Sequence, residues 1–479
     1  MAAAKKALKR RVAKKAKSSV RKATKKASKK TAKTPHKKPA PSASSPPPVS
    51  SGQNGKGLRV RMFRVGFGDF FLLTVPTAKG DQHILIDCGV HAKDLKSIQA
   101  AVKQMAADCG NKLALVIMTH RHADHISGFG TCSDIFSQIT VDRVWMPWFE
   151  NPDDKVAARI QQNLAAMATQ LASRLAARGG PESDPYAAMV DNITGGLSAA
   201  GGTGNQKALD VLHNGFKNKP EHDYYKAGDP ANLPQALVDA GFSAQILGPP
   251  SDPHLITQLT NTADQYLANV MQEDDGPAKT FPAAFQQKTY PDHAFKFFGA
   301  DKVKAMINGM RPDVLAARAQ AADKTLNNQS LVILFSFAGK NLLFAGDAQW
   351  GNWENFLYGG AFGTPGHTQM TKQATEILNN IDFYKVGHHG SRNATPKDAV
   401  AAMMRAGCVC MCSTQLHAYN EVPREPLMQA LRDRMAGQLA RSDQVAVNNV
   451  KPEATAGALP KKFKSPGELF IDYEFGAPG

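Results

Sequence analysis

Residues 119–128 read Thr-His-Arg-His-Ala-Asp-His-Ile-Ser-Gly, so His120, His122, Asp124 and His125 offer four metal-ligating side chains within six positions. Two imidazoles two residues apart can converge on one cation, while the aspartate and the third histidine turn toward a second. The spacing points to a two-metal site. Three histidines and a carboxylate in one place are costly to desolvate without a cation to bind. Isolated histidines such as His36, His83 and His254 carry no such implication. Two cations held this way lower the pKa of a bridging water and so favour hydrolysis.

The flanking sequence supplies elements that can position the cluster. The apolar, β-branched run Leu113–Met118 has the length of a buried strand, which places the cluster on the loop leaving its carboxyl end, where open α/β sheets put their sites. Further strands are expected at about 58–65, 70–75, 83–87 and 142–147, with a helix near 92–107. Ala157–Arg178 reads as a long Ala-rich amphipathic helix, followed by the glycine-rich stretch Gly195–Gly204. A strand returns at Phe242–Leu247, helices and strands alternate to about Arg434, and Glu468–Phe475 has the alternation of a final strand.

Five segments in this order resemble the metallo-β-lactamase superfamily, and within it the ComEC/Rec2-like branch. They are Val65-Gly-Phe-Gly-Asp-Phe-Phe-Leu-Leu73, Ile84-Leu-Ile-Asp-Cys-Gly89, Asn328-Gln-Ser-Leu-Val-Ile333, Leu342-Leu-Phe-Ala-Gly-Asp347 and Tyr384-Lys-Val-Gly-His-His-Gly-Ser391. The resemblance covers about Leu58 to Leu431 and implies a four-layer αββα sandwich, an α/β fold in which the glycine turn and the Asp-x-Gly strand end pack beside the metal loop. It implies a metallohydrolase whose metal-bridging hydroxide is the nucleophile, with His120 and His122 on one ion, Asp124 and His125 on the other, and Asp347 bridging both. His388 or His389 completes the set, and the other orients the ligand or donates to the substrate. Asp124 is also the candidate to position the water or protonate a leaving group. Ser391 and the adjacent backbone donors are candidates to bind an anionic substrate.

The mixed nitrogen and oxygen ligands suit two divalent ions, zinc first, with manganese or iron as alternatives. The chain departs from the family pattern in two places. Between the cluster and Asp347 only His213, His222, His254 and His293 occur, none in a strand-end context, and Val422 stands where the branch has a turn histidine, with His417 a few residues earlier. Cys408, Cys410 and Cys412 alternate along an expected strand, Gly407–Ser413, and should face one side as small buried groups. With Cys88, Cys109 and Cys132 they form no disulfide framework.

Residues 1–57 hold 18 of the 58 Lys and Arg and no Asp or Glu, leaving 40 basic against 41 acidic side chains, so the net charge of +17 is this segment's +18 less 1 from the rest of the chain. Its Lys/Ala/Pro texture is that of a disordered basic tail and linker. The tail reads as an electrostatic tether to nucleic acid, without aromatic residues to stack on bases, as a solubilising brush, or as a targeting segment. No apolar run of a secretory signal or membrane span follows, so a cytoplasmic, nucleoid-associated placement and no membrane span are expected. The domain expected at 58–479 carries insertions at about 150–240 and 253–326, long enough to wall the cleft. The resemblance and the tail favour a phosphodiesterase or nuclease-like activity. The alternatives are hydrolysis of another ester, lactone or thioester, or a nucleic-acid-associated scaffold with a degenerate metal site.

Overall fold

The computed structural model describes residues 57–91, 95–177, 204–261, 266, 322–416, 422–445 and 457–476, all within the unit Val49–Gly479. The basic tail (1–56), residues 195–203 of the glycine-rich stretch, most of the second insertion, His293 and His417 lie outside the described residues.

Two mixed sheets and flanking helices make an α/β fold. The strands and helices that position the site are, in chain order, β1 (Arg59–Phe63), β2 (Phe70–Val75), β3 (Gln82–Cys88), α1 (Leu95–Asp108), β4 (Lys112–Ile117), α2 (Ala123–Thr131), β5 (Thr140–Pro147), α3 (Lys155–Ala177), α4 (Gly204–Asp210), β6 (Glu221–Tyr225) and β7 (Ser243–Gly248). They continue with β8 (Val332–Phe337), β9 (Lys340–Phe344), α5 (Trp350–Tyr358), α6 (Lys372–Asn379), β10 (Phe383–Lys385), α7 (Lys397–Ala402), β11 (Val409–Cys412), α8 (Glu425–Arg434), β12 (Leu439–Arg441) and β13 (Phe470–Glu474). One sheet has the order β13-β1-β2-β3-β4-β5-β6, the other β12-β11-β10-β9-β8-β7.

Each sheet changes from antiparallel to parallel partway across. β13, β1, β2 and β3 pair antiparallel, and β3 to β6 run parallel. In the second sheet β7, β8 and β9 pair antiparallel, and β9 to β12 run parallel. Parallel pairing aligns the carboxyl ends of β3 and β4 on one sheet and of β9 and β10 on the other; the loops leaving β4, β9 and β10 carry the candidate ligands, and Asp87 stands near the end of β3.

Alternation along the strands sorts the apolar residues into three cores. Ile84 and Ile86 of β3 share the inner core with Ile333 and Phe335 of β8, so this core joins the two sheets. Leu85 and Cys88 face the other way, among residues of α1 and α2 such as Ile98, Val102 and Phe129. Val332 and Leu334 likewise face the helical side of their own sheet, with Trp353, Leu378, Val400 and Leu427. Cys410 and Cys412 belong to this outer core while Val409 and Met411 face inward, as the alternation requires. All six cysteines are buried and free.

The first segment read as an insertion is partly integral to the core. β6 extends the sheet beyond β5, and Ala208 and Leu209 of α4 join the core that holds Phe129 of α2. No described helix is long and apolar enough to cross a membrane.

Candidate metal centre

Four strand ends converge on one buried pocket of charge. β4 delivers Thr119 to His122, and α2 begins at Ala123 with His122 as an extended N-cap residue. Asp124 therefore stands in the first turn of a helix, where the dipole favours a carboxylate. β9 ends in Gly346 and Asp347, and β10 leads through Gly387 to His388 and His389.

Close backbone approach explains two of the glycines. A Cβ at Gly89 would lie 2.3 Å from the backbone carbon of Asp124 and the backbone nitrogen of His125. At Gly346, where φ is +51°, it would meet Ser330 and Thr119 at about 3 Å. The backbone N–H of Asp69 donates to Asp124 O (2.8 Å), and that of Gly89 donates to Asp69 O (2.9 Å). The glycine turn, the Asp-x-Gly strand end and the histidine loop are thus interlocked.

Three non-glycine residues here adopt left-handed backbone: Asp87 (φ +53°), His388 (+46°) and His389 (+52°). Such conformations cost about 1–3 kcal/mol each and persist where surrounding structure over-determines them. Asp87 is the extra residue of a bulge, since Phe70 pairs with Cys88 and Phe71 with Ile86. The bulge re-aims its carboxylate at the site.

Asp124, His125, Asp347 and His389 each bring one ligand atom to within 4.8 Å of the others. His125 Nε2 lies 3.1 Å and His389 Nε2 3.6 Å from Asp347 Oδ2, and His389 Nε2 lies 3.0 Å from Asp124 Oδ2. The opposite ring nitrogens are held by protein oxygens. His125 Nδ1 meets Asp87 Oδ2 at 2.8 Å, His389 Nδ1 donates to Ser413 O at 2.9 Å, and His120 Nδ1 lies within 3.3 Å of the hydroxyls of Thr119 and Ser330. Asp87 in turn accepts from the backbone N–H and hydroxyl of Thr119, both at 2.7 Å. Oxygens on Nδ1 that leave Nε2 facing its neighbours are the arrangement of metal-ligating histidines. His120 Nε2 is buried and has no hydrogen-bond partner among the described residues. The donor set therefore fits a divalent cation, and the buried His/Asp group could hold one.

His388 differs from His389. Its side chain is 23 % exposed, against 0 % for His389, and no oxygen holds its Nδ1. Its Nε2 lies 3.4 Å from Asn327 Nδ2 and 3.9 Å from Asp347 Oδ2, and its backbone N–H donates to Asp347 Oδ1 (3.1 Å). His122 stacks edge-on with His120, ring centroids 4.7 Å apart, and its Nε2 meets the backbone O of Asp323 at 3.1 Å, with Asp323 Oδ1 at 3.4 Å. The Ser391 hydroxyl donates to Asn393 Oδ1 (3.0 Å). Among the other histidines described, His222 Nε2 meets Leu212 O (3.0 Å), with the His213 ring 5.6 Å away, and the His254 ring faces Gln258.

Electrostatics follows from these distances. Burial disfavours the charged form of His125, yet Asp347, Asp87 and Asp124 around it raise its pKa well above the ordinary value. His389 is raised in the same way by Asp347 and Asp69 against its burial. Desolvation likewise works against Asp347 and Asp124, and the charged neighbours His125 and His389 pull both below the usual carboxylate range. His120 is pushed well down by burial and by the neighbouring His125 and His122, and His388 is lowered to about 4, mainly by burial.

Several charged residues at this site lie beyond the candidate ligands that the sequence singles out. Lys385 is 2 % exposed, pairs closely with Asp69, donates to Gly346 O (3.1 Å) and lies 3.7 Å from Asp347 Oδ1. Asp69, Asp87 and His125 form a second buried group of ligand type. Arg121 makes a two-pronged pair with Glu150 at 2.8 and 2.6 Å, tying the histidine loop to the segment before α3. The Asp-x-Gly and Lys-x-x-His-His spacings are the signals that could have marked Asp87 and Lys385. The chain matches no protein-family model and no curated protein.

Proposed function

We propose that this chain is a metal-dependent hydrolase built on a four-layer αββα sandwich of the metallo-β-lactamase type, with phosphodiesters as its substrate class. The observation that carries the reading is the convergence of Asp124, His125, Asp347 and His389, buried or nearly so, from the ends of β4, β9 and β10. An inner core between the sheets, with an outer helical core on each side, supports the layer architecture.

Held by this set together with His120 and His122, two divalent cations, zinc or alternatively manganese or iron, would supply Lewis acidity and an acidified water. The chain's own groups have separable tasks. Asp87, Ser413 and Ser330 fix the rings of His125, His389 and His120. Asp124, at 18 % the most exposed of the three carboxylates nearest the histidines, is the group that can reach a substrate water or leaving group and exchange a proton with it. His388, partly open to solvent beside Asn327, lines the approach.

Phosphodiesters are favoured over other esters by the ComEC/Rec2-like motif order and by the basic segment 1–57, which would hold nucleic acid near the site by counterion release. A scaffold with an incomplete centre accords poorly with the buried His120 Nε2, which no group among the described residues satisfies. The test is hydrolysis of bis(p-nitrophenyl) phosphate by the full chain with zinc or manganese, beside an Asp124→Ala variant. Metal-dependent turnover that falls at least about 100-fold in the variant is expected. A folded, metal-loaded protein that cleaves a thioester or lactone but no diester would overturn the substrate class.

A further inference from the structure

Two groups of ligand-type side chains share His125, and they are not equivalent. The group Asp124, His125, Asp347 and His389 has no ammonium in close contact: Lys385 Nζ comes no nearer than 3.7 Å, to Asp347 Oδ1. The group Asp69, Asp87 and His125 already has one, because the Lys385 ammonium sits against Asp69 Oδ2. Lys385 and Asp69 are 2 % and 1 % exposed, so no solvent screens this pair. The same ammonium lies 3.7 Å from Asp347 Oδ1 and donates to Gly346 O (3.1 Å) just before it.

An ammonium and a divalent cation compete for the same carboxylate, and at such distances in a poorly solvated interior the competition is strong. Lys385 therefore has two carboxylates within reach, Asp69 and Asp347. Asp69 is fixed by its backbone: its N–H donates to Asp124 O (2.8 Å), and its C=O accepts from Gly89 N–H (2.9 Å). We infer that Asp69 is a positioning residue that holds the Lys385 ammonium off Asp347, leaving that carboxylate free for a metal ion. The inference rests on the metal-centre reading of Asp124, His125, Asp347 and His389.

It makes Asp69 important to metal binding without being a ligand, and it predicts an unusual dependence between two substitutions. In Asp69→Asn the lysine loses its partner and turns onto Asp347, so Zn2+ affinity falls by tenfold or more. In Asp69→Asn with Lys385→Met the competitor is gone, and affinity returns to within about threefold of wild type. Were Asp69 itself a ligand, the second substitution would restore nothing.

The experiment is chelator-competition titration of Zn2+ into the full-length wild type, Asp69→Asn, Lys385→Met and the double variant, with thermal unfolding of each metal-free protein alongside. Recovery of affinity in the double variant supports the inference. A double variant that folds and binds no better than Asp69→Asn overturns it, as does an Asp69→Asn that binds like wild type. Should Asp69→Asn fail to fold, the double variant decides alone, because it buries no unpaired charge: near-wild-type affinity supports the inference and lost affinity overturns it. A wild type that binds no Zn2+ removes the metal-centre reading itself, and is told apart from the other failures by the wild-type titration.

Discussion

Replacing His389 and His388 separately by alanine is the sharpest test of the centre, because the two neighbours have opposite surroundings. His389 is fully buried, held by Ser413 O at 2.9 Å, and points Nε2 at Asp124 and Asp347. His388 is partly exposed, lacks such an anchor, and lies 3.9 Å from Asp347. Loss of an outer partner of a metal ligand typically costs about 10- to 100-fold in affinity, so loss of His389 itself should cost at least about 100-fold. At free Zn2+ of about 1,000 times the wild-type Kd, binding stabilises the fold by about 4.1 kcal/mol, and a 100-fold weaker variant retains about 1.4 kcal/mol. His389→Ala should thus forfeit about 2.7 kcal/mol of zinc-induced stabilisation. His388→Ala should stay within about tenfold of wild type and forfeit no more than about 1.4 kcal/mol. Denaturant unfolding with and without Zn2+ measures both. A larger loss in His388→Ala than in His389→Ala would refute the assignment.

Gly89→Ala should destabilise the protein by about 1–3 kcal/mol and weaken Zn2+ binding, because its methyl would have to displace the backbone of Asp124 and His125; chemical denaturation and zinc titration read the two effects. Without metal, the raised pKa values of His125 and His389 contribute stability that is fully present below about 6.5 and lost as pH rises through their folded values. The depressed Asp124 and Asp347 contribute stability present above about 3.8 that is lost as pH falls. The lowered His120 and His388 add stability that is present above about 6.5 and lost as pH falls below it. The melting temperature in chelator should therefore peak at about pH 6.5 and decline on either side, and a profile still rising through about pH 8 would contradict it. Deleting residues 1–57 should leave zinc affinity unchanged and abolish binding to mixed-sequence duplex DNA, whose affinity for the intact chain should fall steeply with salt in a fluorescence-anisotropy titration.

The parts of the centre that are contiguous in the chain are legible in the sequence. His120 to His125 announce themselves by spacing, and the apolar run before them places them at a strand end, now β4. The cysteine alternation of β11 is readable for the same reason, since a period of two needs only four residues to show. What could not be read depends on long-range approach. Lys385 and Asp69 are more than three hundred positions apart, and nothing local says that a lysine will be buried against an aspartate. Asp87 needed the bulge between β2 and β3 to point where it does. β6, Glu-His-Asp-Tyr-Tyr, hid because a sheet edge tolerates polar side chains and therefore lacks the apolar signature of a core strand.

The candidate ligands come from two different sheets, and this has a mechanical consequence. Asp124 and His125 follow a strand of the seven-stranded sheet, while Asp347 and His389 follow strands of the six-stranded one, over two hundred residues later in the chain. A cation gripping both sides would act as a rivet between the two sheets, closing a very long loop in the way a disulfide does in chains that have one. With all six cysteines buried and free, chelation would then remove the long-range fastener of this fold as well as its chemistry.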